Sequence, residues 1–314
     1  LQSVSKPLAA GFALFGLLAS SVGTPLVQSN TIAMSVNDAV LLFLPKAEQK
    51  TVCIIAGAVT AALVGIVILG GIKRIGKASE IIVPFMAIGY IAICIIVLSR
   101  FGSRILPAFR DIFSGALGIK QAVGGAAGFG AARALRIGMA RGVYSNEAGV
   151  GSAPMAHACA NTNDPVKQGM YGIFEVFADT IVMCTMTALV VLASGIPLQA
   201  GGEISGTSIA LRAFSTVLPE RTTGIFLAVS MLLFAYTSLL GWAVYGMQCA
   251  KYLFGKRAQV PFCILYTVLT FAGALMKVDF VWTAGETLNY LMAAPNMLAL
   301  LVLNREVRRE TAFA

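Results

Sequence analysis

Long apolar runs all but free of charged side chains recur along the whole chain, at 7–23, 51–70, 81–99, 169–193, 223–253, 260–276 and 281–303. A helix needs about 20 residues to cross roughly 30 Å of hydrocarbon. An ionised side chain near the bilayer centre costs roughly 2.5–3.5 kcal/mol on insertion scales, while each Leu or Ile returns about 0.3–0.6 kcal/mol. Such runs are therefore read as membrane spans. An eighth segment, 124–144, is apolar but carries Arg133, Arg136 and Arg141 among several glycines. Lipid would not tolerate it, so it is expected to be a broken helix facing protein or a water-filled cavity.

Composition supports this reading. Of 314 residues, 58% are hydrophobic and 12% charged, against roughly 45–50% and about 25% in soluble domains. So little charge excludes a soluble globular enzyme, a disordered chain and a nucleic-acid-binding domain. The expected fold class is an all-α integral membrane protein of about eight transmembrane helices, a single transmembrane domain over 1–314.

The net charge of +9, from 23 Lys and Arg against 14 Asp and Glu, reads as topology. Basic side chains favour cytoplasmic loops. Lys73, Arg74 and Lys77 follow the second span; Lys251, Lys256 and Arg257 follow the sixth; Arg305, Arg308 and Arg309 follow the eighth. Even numbers of spans separate these groups, and together with Lys6 they place both ends of the chain in the cytoplasm. Arg100, Arg104, Arg110 and Lys120 fall on the opposite side and run against the bias.

The six cysteines stand singly, without a C-x-x-C pair, which suits neither zinc nor a disulfide framework. They are expected to be buried free thiols acting as small hydrophobes. The single histidine, His157, leaves any nucleophilic triad one possible base and no identifiable third member. No resident metal or cofactor, and no enzyme chemistry, is expected.

Chemistry is sought inside the helices. In the segment from Gly138 to Pro154, glycines at 138, 142, 149 and 151 accompany Ser145-Asn146-Glu147. Glycine lets a backbone leave helical geometry and present amides and carbonyls at membrane depth. Unwinding is expected around Gly138 to Gly142, where a carrier would hold a zwitterion on half-helix ends. Glu175 and Asp179, spaced i,i+4, share one helical face. Paired with Arg133 and Arg136 they are structural; as a proton relay or cation ligand they would be coupling groups. Thr237 and Ser238 offer neutral hard oxygens suited to a small cation, or bond their own helix. Ser238 and Trp242 share a face, so the ring could close a pocket beside the hydroxyl. Asn30 stands where the first run turns polar. Its amide could grip an amino-acid head group as donor and acceptor, or cap a helix end.

The run Arg141-Gly-Val-Tyr-Ser-Asn-Glu-Ala-Gly-Val-Gly-Ser-Ala-Pro-Met-Ala-His157 closely resembles the alanine or glycine:cation symporter family. Pro165 to Gly169, Phe177 to Thr180, Cys184 to Leu189, Leu240 to Trp242 and Pro295-Asn296 extend the likeness across essentially the whole chain. The resemblance implies a LeuT-like inverted-repeat bundle in a bacterial inner membrane, taking up alanine or glycine with sodium or protons. It further implies substrate contacts at Ala134, Ile137 and Gly138, completed by Asn30, Ser238 and Trp242, with sodium at Thr237 or Ser238. Family proteins begin with about three further helices, so this chain is expected to be an N-terminally truncated part. A channel, or an amino-acid receptor that does not transport, is the alternative reading.

Overall fold

The computed structural model describes residues 4–116, 125–197 and 206–312, with side chains throughout except at 125–134, 278, 279 and 312. Every regular element among the described residues is helical. Among the described residues six helices are long and apolar enough to cross a membrane: Lys6–Leu41, Gln49–Ile68, Ile72–Ser99, Pro165–Ser194, Glu220–Phe254 and Phe280–Thr311. Two segments separate this number from the expected eight. The helix Gln259–Gly273 has 15 residues, about 22 Å at 1.5 Å per residue, short of a bilayer core. The helix Gly125–Asn146 carries the three arginines.

Two expectations about winding change. The first span does not end at residue 23; it continues to Leu41 through a π-helical turn, Ala19–Gly23. Pro25 has no N–H to offer Ser21, and its ring would crowd an ordinary turn. The wider turn, in which the Thr24 amide donates to Ala19 O, accommodates it. The second change concerns Gly138 and Gly142, which lie inside one continuous α-helix. A glycine in a helix costs about 1 kcal/mol relative to Ala, too little to unwind a long segment. The chain breaks just beyond, where Glu147, Gly149 and Gly151 take φ values of 53°, 83° and 95°.

The described residues form two compact units. The first comprises 1–86, 147–175 and 228–314. Its core joins Ile32, Val64, Ile68, Leu239, Leu240, Phe262 and the fully buried Tyr266. The Tyr266 hydroxyl donates to Leu239 O at 2.6 Å, so the phenol is satisfied where its ring is buried. Backbones approach closely at Gly273, where a Cβ would lie 2.5 Å from Leu26 Cα. A small residue at that crossing lets two helices pack without side chains between them.

The second unit comprises 87–146 and 176–227. Tyr90, Phe214 and Phe226 form an aromatic trio with centroids 6.2–6.3 Å apart. The Tyr90 hydroxyl lies 2.8 Å from Thr187 Oγ1. Arg104 donates to Ala193 O at 3.3 Å, a cation at the last turn of a helix whose C-cap is the left-handed Gly195.

The thiols divide between interior and surface. All six cysteines are free; Cys53, Cys94, Cys249 and Cys263 are buried as expected, whereas Cys159 and Cys184 are exposed.

Candidate functional site

The break at 147–152 is built by residues the sequence places in immediate succession. Glu147 is the one described residue other than glycine in the left-handed region, and three left-handed positions within five residues reverse the chain. That reversal turns the Glu147 carboxylate back on its own loop and onto the Glu220–Phe254 helix. Oε1 accepts from Trp242 Nε1 at 2.7 Å, and Oε2 accepts from the hydroxyl of Ser152. Ser152 is fully buried and Trp242 is 4% exposed, so both donors depend on this carboxylate. Hydrogen bonds to a charged acceptor are roughly twice as strong as neutral ones.

The loop is closed from the other side by Asn296, whose amide donates to Gly149 O at 3.0 Å. Asn296 follows Pro295 within a helix. A Cβ on Gly151 would lie 2.7 Å from both Asn296 Cγ and Phe12 Cε2, so only glycine fits. Tyr245 stacks edge-on against Trp242 at 5.4 Å. The result is an irregular loop with a fixed carboxylate beside an aromatic wall.

Of the residues singled out in the sequence, Trp242 belongs to this constellation, and its indole N–H is spent on Glu147. Asn30 is elsewhere in the first unit. It lies well inside the Lys6–Leu41 helix, so it does not cap that helix's own end. Its buried amide donates to Gly273 O at 3.1 Å and Met276 O at 2.8 Å, adding to the Met276 N–H that Gly273 O already accepts where the Gln259–Gly273 helix stops. Thr237 Oγ1 is 3.0 Å from both Leu233 O and Phe234 O, the self-bonding common for hydroxyls in helices. Ser238 is half-buried on the same helix. Ile137 and Gly138 are exposed on the second unit's Gly125–Asn146 helix. The side chains of Arg133 and Ala134 lie outside the described residues.

Glu175 and Asp179 have different partners, and the winding changes to a π-helix over Phe177–Cys184. Glu175 lies 3.4 Å from His157 Nε2, while His157 Nδ1 meets Gln168 at 2.7 Å. Asp179 accepts from Ser145 at 2.8 Å and from Thr180 at 3.3 Å. Arg136 is not among its partners. Counting from Pro165, Asp179 is about 21 Å along a helix of about 45 Å, close to its middle.

Sequence reasoning passed over Glu147 and Asn296 as functional residues. Glu147 stood inside the glycine-rich motif, and its signal was a carboxylate between glycines after an arginine-bearing apolar run. Asn296 had only the Pro295-Asn296 pair to mark it.

The sequence profile of the sodium:alanine symporter family matches residues 2–312. The chain is 39% identical over 313 residues to the sodium/alanine symporter AgcS of Methanococcus maripaludis, covering 99% of this chain and 65% of that protein. It is 34% identical over 295 residues to the probable sodium/glutamine symporter GlnT of Bacillus subtilis, covering 93% and 57% respectively. A sodium/proton-dependent alanine carrier protein of Bacillus sp. is 30% identical over 303 residues, 91% of this chain and 65% of the carrier. The chain thus spans between about half and two thirds of the length of these relatives.

Proposed function

The chain belongs to the sodium:alanine symporter family, a family of membrane transporters and not of enzymes, and from that premise we propose that its protein takes up a small neutral amino acid with sodium or protons. The observation that carries the proposal is the family match over residues 2–312, nearly the whole chain. Alanine is the first substrate to test, because the names of two of the relatives specify it. Glutamine, named for a third, marks the upper end of the size range.

The substrate site is our reading of the family likeness together with the chemistry of the named side chains. A zwitterion needs donors for its carboxylate and acceptors for its ammonium, held where water is scarce. Asn30 keeps its carboxamide oxygen as an acceptor, since its N–H groups go to Gly273 and Met276. Trp242 contributes its ring as a wall, with its orientation locked by Glu147. The family likeness adds Ala134, Ile137 and Gly138 as further substrate contacts, and Ser238 as a hydroxyl. Thr237 and Ser238 would offer oxygen lone pairs to the cation. The small side chain of Ala134 favours a roomy pocket. A LeuT-like bundle acting as one transporter domain in a bacterial inner membrane, with the basic loops on the cytoplasmic side, completes the reading.

The decisive experiment is uptake of radiolabelled alanine into proteoliposomes under an imposed inward sodium or proton gradient. Uptake above the gradient-free level supports symport. Saturable binding with no uptake under either gradient would convert the reading to a receptor, and steady ion current without coupled uptake would convert it to a channel.

A further inference from the structure

The second unit holds a cluster of hard oxygens. Ser145, the penultimate residue of the Gly125–Asn146 helix, places its hydroxyl 2.8 Å from Asp179 Oδ2. The neighbouring Thr180 places its own 3.3 Å from the same oxygen. Among the described residues no cationic side chain lies within ion-pair distance of this carboxylate. Asp179 and Thr180 both fall within the π-helical stretch Phe177–Cys184, where i→i+5 bonding replaces the regular ladder, a distortion that recurs at functional sites.

We propose that Asp179, Ser145 and Thr180 form a binding site for a hard monovalent cation of sodium's size. Hard cations of about this size take oxygen ligands at roughly 2.3–2.6 Å, so adjacent ligands around an octahedral ion stand about 3.4 Å apart. The 3.3 Å separation from Thr180 is close to that edge length, and the 2.8 Å hydrogen bond from Ser145 would lengthen when an ion enters. Hydroxyls that now donate to the carboxylate need only rotate about their C–O bonds to turn lone pairs toward an ion between them. The carboxylate supplies the one negative charge that a monovalent ion requires, at mid-helix, where an uncompensated carboxylate is expensive. Cys184 Sγ, 3.8 Å from Ser145 Oγ, borders the site but is too soft to ligate such an ion. Ser145 is exposed and Asp179 and Thr180 are half-buried, so an ion can enter without unfolding either helix.

The site differs from the Thr237 and Ser238 position and rests on the symport reading only for its purpose, not for its occupancy. Equilibrium binding of radiolabelled sodium to the purified full chain in lipid nanodiscs tests it, at alkaline and at mildly acidic pH. Asp179→Asn is expected to remove one bound sodium per chain, and Ser145→Ala and Thr180→Val are each expected to weaken that sodium about tenfold or less. An Asp179→Asn protein with the wild-type sodium isotherm would overturn the proposal. So would a change confined to the pH dependence of alanine uptake, which would make Asp179 a proton carrier. If Asp179→Asn fails to fold, the two hydroxyl variants decide: unchanged isotherms in both refute the site. Failure of the symport reading looks different, with sodium still bound through Asp179 and no amino-acid uptake under any gradient.

Discussion

Replacing Glu147 by alanine should be the most damaging single change to the first unit that leaves its apolar core untouched. The substitution removes the acceptor for Trp242 Nε1 and for Ser152 Oγ, and both donors are buried. Each buried donor left without a partner costs about 1–3 kcal/mol, which sums to about 2–6 kcal/mol against a typical total stability of about 5–15 kcal/mol. Glu147→Gln keeps one carbonyl oxygen and should lose about half as much. Glu147→Gly loses the same bonds as alanine but releases the left-handed backbone, worth about 1–2 kcal/mol, and should therefore be more stable than Glu147→Ala. Unfolding in bicelles by added dodecyl sulfate, followed by circular dichroism, measures all three. Because the chain has two tryptophans, a Trp282→Phe background lets Trp242 emission report the loss of its partner as a red shift. An alanine variant within about 0.5 kcal/mol of wild type, the range of an inconsequential surface change, would refute the reasoning.

Other perturbations probe separate parts of the fold. Asn30→Leu should cost about 1–3 kcal/mol, because Met276 O loses the amide donor and Gly273 O keeps only the Met276 N–H; the same unfolding titration checks it. Gly151→Ala forces a Cβ against Asn296 and Phe12 at a φ of 95° and should cost at least about 2 kcal/mol, with greater protease sensitivity at the loop as an independent readout. Tyr90→Phe keeps the aromatic trio and deletes the hydroxyl with its contacts to Thr187 and Cys94, so its cost should be about 1–2 kcal/mol; a loss above about 4 kcal/mol would show that the hydroxyl does more.

The helical spans were readable because their signal is additive: twenty apolar residues without charge admit few other structures. Their ends were less so. Continuation through Pro25 depends on a π-helical turn, a local slip in hydrogen bonding that leaves no mark in hydropathy. Of the four glycines in the motif, Gly149 and Gly151 leave helical geometry, and Gly138 and Gly142 do not. Gly138 and Gly142 sit in a helix that tolerates them, and the chain breaks where Glu147, Gly149 and Gly151 together require left-handed geometry. Site partners were least legible. The side chain that fixes Trp242 lies 95 residues away in sequence, and Asn296 reaches Gly149 across 147. Such pairings are decided by packing, which one-dimensional spacing does not encode. Glu175 and Asp179 illustrate the same point, since their spacing does not reveal that one meets His157 and the other Ser145.

Reciprocal linkage between cation and amino acid is the most direct test of the account. If both ligands favour one conformation, the factor by which saturating sodium or protons tightens alanine must equal the factor by which saturating alanine tightens that cation. Calorimetric titration of the purified protein in each order gives the two factors. The account predicts equal values, typically about 5–150-fold for coupled sites. Alanine affinity indifferent to sodium and to pH alike would contradict it.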